Sequence, residues 1–330
     1  MRGPALLLFT LRRILISIPV LLASSLIVYV LVGLSGDPRN LLYTVKPVPT
    51  AEIRFLTQRL HLDENIFARW FHWLIGVLHG DFGYSQTFHN HIGSELYDRF
   101  GTTLKMILAA LVLAAIFAII TGVISAVRQY TVTDYSFTLV GFLFLALPTF
   151  WFALLLKQLA VKFNKDVGHR VFDTIGDKSL AVPSGFFGGL GDLAGHLILP
   201  TITLALISYA SWSRFERASM LEVLGSDYIR LARSKGLSKT RVMVRHALRT
   251  ALIPLTTIMA IDFAALISGA VITEQIFQWH ALGEFGTNGI RMQDTDVVAA
   301  WLLISAVAVI TFNLIADLLY AVLDPRIRYA

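Results

Sequence analysis

Six stretches of the chain run for about 20 residues each with at most one charged side chain, at residues 14–34, 102–127, 135–161, 196–212, 251–272 and 297–320. About 20 apolar residues are enough for a helix to cross a ~30 Å hydrocarbon layer. The segments between them are polar and rich in turn residues. The pattern therefore predicts an all-α polytopic membrane protein with six transmembrane helices. Composition agrees: 55% of the 330 residues are hydrophobic, 15% are charged and mean hydropathy is +0.66, against about 45–50% and about 25% in soluble domains. The absence of cysteine excludes disulfides and cysteine metal sites.

Arg12 and Arg13 precede the first stretch. It is longer than the apolar core of a signal peptide, so it reads as an uncleaved anchor with its N-terminus inside. Gly36-Asp37-Pro38 ends it with turn chemistry. Residues 35–101 are polar enough to leave the membrane. Within them Phe67, Trp70, Phe71, Leu74 and Leu78 keep helical spacing, and Trp70 and Trp73 suit a membrane interface. This small segment is expected to pack on the outer rim of the spans. His89-Asn90-His91 supplies two alternating histidines without a third ligand, the pattern of surface residues and not of a metal site. In the third stretch Pro148 removes a backbone hydrogen bond and is expected to kink the helix. Residues 164–195 form a second outside loop; its glycines carry no G-x-x-x-x-G-K, so they are punctuation and not a nucleotide cradle. The expected division is 1–34 for the anchor and first helix, 35–101 for the extracytoplasmic segment, 102–320 for the five-helix domain with a cytoplasmic loop at 213–250, and 321–330 for a cytoplasmic tail.

Charge fixes the orientation. More than half of the 28 Lys and Arg residues fall in segments assigned inside. Among the acids only Asp134, Glu216, Glu222, Asp227 and Asp324 do so. Basic inside loops are what the orientation rule asks, and nucleic acid is not needed to explain the net +6.

The segment 219–254 departs from all this, being basic and amphipathic. Tyr228, Leu231, Ala232 and the stem of Lys235 fall at i, i+3, i+4 and i+7, one helical face. Gly236 suits the left-handed residue that closes a helix, and Ser238 suits the cap of the next. Val244, Ala247, Leu248 and Ala251 make a second apolar stripe, with Arg241, Arg245 and Arg249 on another face. A solvated loop obeying the orientation rule accounts for the charges but not for the stripes. A DNA-binding helix-turn-helix would be pinned to the bilayer by spans on both sides. Two short helices presented to the cytoplasm suggest a docking element.

The run ARSKGL, then His246-Ala247-Leu248-Arg249 and residues 251–254, resembles the signature loop of bacterial ABC-importer permeases, above all the dipeptide/oligopeptide branch. Arg230-Leu231-Ala232 stand where the general motif has Glu-Ala-Ala, and the proline comes late, at Pro254; the peptide branch shares both departures. GFLFLALPTFWFALLL, HLILPTITLAL, ITEQIF and DLLYAVLDPRIR are similar to other segments of those permeases. One departure is local: His280-Ala281 precede Leu282-Gly283 where the family often has Pro-Gly, which puts the turn before Leu282 in question.

The resemblance implies a type I ABC importer permease fold. It also implies a homologous second permease subunit, two ATPase subunits that carry the ATP and Mg, an extracytoplasmic substrate-binding protein, and a di- or oligopeptide substrate; nickel or glutathione are the alternatives in the same family. The coupling residues it implies are Tyr228, Leu231, Ala232, Arg233, Lys235, Gly236 and His246. No cofactor is expected in this chain, and no catalytic set has motif context. A channel or secondary transporter is the alternative from another class, but repeats with broken helices in both halves are not evident. Inside the spans, Asp262 costs about 2.5–3.5 kcal/mol near a helix centre and is expected to face water or a partner. It is a translocation-path candidate, or else a protonated acid or a structural partner of the second permease. Asp317 lies near the inner end of its span, where a structural reading suffices.

Overall fold

The computed structural model describes residues 3–37, 39, 43, 50–85, 90–179 and 185–323. Arg2, Pro38, His89 and the charged tail 324–328 lie outside the described residues. The elements in chain order are α1 (Gly3–Ser35), α2 (Thr50–Arg59), α3 (Ile66–Leu78), a two-stranded antiparallel pair β1 (Tyr84–Ser85) and β2 (Asn90–His91), α4 (Ile92–Val127), α5 (Val132–Ala146), α6 (Thr149–Val167), α7 (Phe186–Leu224), α8 (Asp227–Ser234), α9 (Lys239–Arg241), a π-helical stretch Val242–Leu248, α10 (Arg249–Phe277), α11 (Leu282–Arg291) and α12 (Thr295–Leu323). They form two compact units that do not follow chain order. One is Met1–Leu104 with His280–Thr311; the other is Lys105–Trp279 with Phe312–Ala330.

In the first unit the polar segment after α1 folds onto a shared core. Asn65 caps α3 by accepting from the Ala68 amide at 2.8 Å. Trp73 turns inward, packs with Tyr29, Phe82, Ile92, Leu96 and Phe285, and donates its indole N–H to the Phe82 carbonyl at 3.1 Å. Phe67, Phe71 and Leu78 lie on the exposed side; α3 is apolar on both faces and uses one. Two buried polar groups of this core are paired, as burial demands: Tyr29 donates to Asp296 at 3.3 Å and Ser85 to Asp294 at 3.0 Å. Two residues ahead of His280-Ala281, Gln278 takes the left-handed conformation (φ 54°) that ends α10. Ala281 is extended ahead of α11, and the Leu282 amide donates to Thr103 Oγ1 at 2.9 Å. The chain therefore makes the turn without Pro-Gly. Outside the spans, the Arg39 guanidinium forks onto Asp37 and holds its carboxyl below the usual range.

The second unit is organised around α7, which packs against α5, α6 and α10. Small residues let helices close, the usual device where hydrocarbon removes the hydrophobic drive. A Cβ on Gly122 would sit 2.8 Å from Glu216 Cβ and 2.9 Å from the Ser213 carbonyl oxygen. Three sequence expectations change here. Helix α7 begins at Phe186, so the glycines at 188, 189, 191 and 195 are helical and not loop. It also runs without a break to Leu224, twelve residues beyond the expected end of the span. Glu216 and Asp134, expected as solvated loop charges, are buried.

Four described helices are long and apolar enough to cross a membrane: α1, α4, α7 and α12. The expected third span is instead a bent pair. Leu147, pushed into extended geometry by the proline after it, and Pro148 separate α5 from α6, which diverge by 104°. That break is far larger than a kink. Counted as one span, the pair makes five. The segment 251–272 lies in the 29-residue α10, which does not meet the same measure among the described residues, so length and apolarity alone stop short of six. Exposed Leu15, Ile16, Val20, Ile27 and Leu31 give α1 the surface expected of a helix in lipid.

Gly122→Ala should lower the thermal midpoint in detergent, because overpacking against backbone costs about 1–3 kcal/mol. Gly101→Ala, where a Cβ meets nothing within 4 Å, should be neutral or stabilising. Equal effects from the two would show that helix propensity, not close approach, governs position 122.

Candidate coupling surface

The segment after α7 is mounted on a small core of its own chain. Ile229 and Ala232 of α8 pack with Ala126 of α4, Met220 and Val223 of α7, Val242 and Ala247 of the π stretch, and Ala251 of α10. Ser226 Oγ donates to the Val223 carbonyl at 2.6 Å at the corner into α8. Ser219 Oγ donates to the Ala251 carbonyl at 2.9 Å and ties α7 to α10. Gly236 is left-handed at φ 76°. A Cβ there would meet nothing within 4 Å, so backbone conformation alone selects glycine. Ser238 Oγ accepts from the Arg241 amide at 3.4 Å and starts the next helix.

This geometry divides the predicted apolar face. Tyr228 and Leu231 are 45% and 56% exposed, and Arg233, Lys235 and Gly236 are exposed with them. Ala232 is instead buried with Ile229 against the chain itself. The correction has a plain cause: residues 228, 229, 231 and 232 are all apolar, so α8 has two adjacent stripes. The Ile229–Ala232 pair, at i and i+3, is the one its own core takes. His246 is partly exposed on the π stretch, and Arg241, Arg245, Arg249 and Val244 face outward. The second stripe is also split. Val242 and Ala247 are buried at a spacing of five, the repeat of i→i+5 hydrogen bonding. A period of 3.6 could not have found it.

Beside this mount is an ion pair the sequence does not advertise. Arg217 of α7 grips Asp134 of α5 with both arms, Nε to Oδ1 at 2.7 Å and Nη2 to Oδ2 at 2.8 Å. The Tyr130 amide also donates to Oδ2 at 3.0 Å, and Ser125 completes the ring around the carboxylate. Asp134 is buried and Arg217 partly so. The partners are 83 residues apart. The acid that the sequence does single out, Asp262 of α10, accepts from the Trp212 indole N–H at 2.5 Å. The structure thus supplies a partner within the chain, between α7 and α10.

Comparison with known proteins places the arrangement. Residues 118–329 match the family model described as binding-protein-dependent transport system inner membrane component. The chain belongs to this family. It is a multi-pass membrane component of a transport system. Its relatives include the oligopeptide transport system permease protein of Mycobacterium tuberculosis (strain ATCC 25618 / H37Rv), 41% identical over 96% of this chain and 98% of that one. The dipeptide transport system permease protein of Escherichia coli (strain K12) is 34% identical over 97% and 98%. The glutathione transport system permease protein of Escherichia coli O1:K1 / APEC is 33% identical over 97% and 99%. Among solved structures, a chain of the MetNI methionine ABC transporter in inward-facing conformations aligns with a TM-score of 0.51 at 15% identity, covering 69% of this chain and 96% of that one. That likeness supports the type I importer permease fold.

In this permease the matched region contains the whole mount, from Ala126 to Ala251, and the Arg217–Asp134 pair. Removing one partner of a buried pair strands a charge and costs about 3–5 kcal/mol. Asp134→Ala should therefore lower the thermal midpoint strongly, while Asp134→Ala/Arg217→Met, which removes both charges, should regain part of the loss. A single variant as stable as the parent would mean that Arg217 reaches water on its own and that the pair does not hold the helices.

Proposed function

We propose that this chain is the permease subunit of an ATP-driven importer of di- or oligopeptides, working with a homologous permease, two ATPase subunits and an external binding protein. The observation that carries the reading is an exposed apolar pair, Tyr228 and Leu231, rimmed by Arg233 and Lys235, on a helix otherwise buried against its own chain. Exposed apolar side chains on a braced element fit a knob for a groove on a partner. The brace fits a lever, since force applied to α8 reaches α7 and α10 through a packed core. The permease names of the relatives support a peptide substrate over glutathione. Nucleotide-driven closure of the ATPases would then move the spans between two access states, with ATP and Mg held on those partners and no cofactor in this chain. In this orientation α8 and both termini are cytoplasmic.

Burying a leucine side chain contributes about 1.5–3 kcal/mol, and exposed ion pairs less than about 1 kcal/mol. Leu231→Asp should thus abolish uptake and release the ATPase subunits during purification while leaving membrane insertion intact, and Lys235→Ala should be mild. Gly236→Val should mimic Leu231→Asp, because a β-branched residue resists φ > 0. Retention of ATPase and uptake by Leu231→Asp, with loss in Lys235→Ala, would make the contact electrostatic and sink the knob.

Orientation is checked separately with the cysteine-free parent. An impermeant thiol reagent on intact cells should label Ser179→Cys and spare Ser238→Cys. The reverse pattern would overturn the assignment of sides.

A further inference from the structure

We propose that His61, Glu64 and His72 form a binding site for a divalent transition-metal ion of the zinc class, at the corner between α2 and α3. The Glu64 carboxylate bridges two imidazoles, with His61 Nδ1 3.0 Å from Oε1 and His72 Nδ1 3.1 Å from Oε2. One donor atom from each residue lies within 4.8 Å of the other two. Metal bonds of about 2.0–2.2 Å in a tetrahedral arrangement put donors about 3.4 Å apart, and each histidine nitrogen already lies within a few tenths of an ångström of that distance from a Glu64 oxygen. Two imidazoles and one carboxylate are the donors zinc takes in sites with an open fourth position. Calcium and magnesium ask for oxygen ligands alone.

The donors are held by local structure. The Leu62 amide donates to the Thr57 carbonyl at 3.0 Å and the Glu64 amide to the His61 carbonyl at 2.9 Å, and Asn65 caps α3 immediately afterwards. His61 itself takes φ 51°, a left-handed conformation uncommon outside glycine. That conformation brings its ring to 4.6 Å from the His72 ring, centroid to centroid. All three side chains are exposed, so core packing does not hold them together; the Glu64 carboxylate gathers both imidazoles and leaves three metal-ligating groups converged at the surface. The cavity beside the cluster is lined by Arg59 and Arg69 but also by Asp81 and Asp296; its formal charges balance and do not repel a cation. Asp63, next to Glu64, lies 3.6 Å from Arg39. The sequence pattern does not reveal this site and draws attention to His89 and His91 instead. The site's histidines are eleven positions apart and converge only because the chain turns between α2 and α3.

The test is calorimetric titration of the full-length, detergent-solubilised permease, carrying no polyhistidine tag, with Zn²⁺ in the presence of excess Mg²⁺. Saturable one-to-one binding is expected. His61→Ala, His72→Ala and Glu64→Gln should each weaken it on the order of tenfold or more, the loss seen when groups that only support a metal ligand are removed. His91→Ala, whose ring pairs with Asp81 at 3.8 Å and is not one of the three grouped donors, should bind as the parent does. Co²⁺ in place of Zn²⁺ should give visible absorption that the same three variants lose. Absence of saturable binding by the parent, or undiminished binding by both His61→Ala and His72→Ala, would reduce the cluster to a hydrogen-bonded surface triad.

Discussion

The Arg217–Asp134 pair is the constraint on which the α4–α5 and α7–α8 end of the second unit depends. A guanidinium fork fits a carboxylate with two parallel hydrogen bonds, which fixes angle as well as distance. Here that fit locks the α4–α5 corner against α7 at the level where Gly122 already brings α4 onto Glu216. The charges are costly to bury, so the pair tells more of geometry than of stability. It ties α7 to the α4–α5 corner at a point past the end of its apolar run and before the chain turns into α8.

From that foothold the coupling segment is placed by packing. Met220 and Val223 at the end of α7 offer an apolar seat; Ile229 and Ala232 take it, and Tyr228 and Leu231 are left facing outward as a geometric consequence. The left-handed residue at Gly236 returns the chain so that Val242 and Ala247 reach the same seat. One small core therefore decides which residues this segment keeps for itself and which it presents.

Much of this was legible in the sequence for reasons that can be named. Apolar run length marked α1, α4, α7 and α12, because hydrocarbon thickness is a constraint a single chain must meet alone. Gly236 and Ser238 were legible because their roles are local: one needs φ > 0, the other a free hydroxyl at a helix start. Ala232 was misassigned because two stripes one residue apart are equally helical, and only the tertiary seat chooses between them. The 104° break at Leu147–Pro148 was read as a kink because proline reports a lost hydrogen bond but not the size of the bend. Arg217–Asp134 and the His61–Glu64–His72 cluster were invisible because their partners meet through the fold and not through a periodic spacing.

The π-helical stretch has a consequence for how the chain tolerates change in length. On an ordinary α-helix, residues five apart point about 140° away from each other, yet Val242 and Ala247 share one core. The wide turn accommodates one surplus residue between two fixed points. Deleting a single residue among 243–246 would turn that five-residue spacing into the four-residue spacing of a regular helix. Both anchors would stay on their face, and α10 would keep its rotational setting. An insertion or deletion anywhere else in the continuous helix from Lys239 to Phe277 would instead swing every downstream side chain by about 100°. The stretch is thus a vernier in the chain, the one place in that helix where its length can vary without rotating the remainder of the helix.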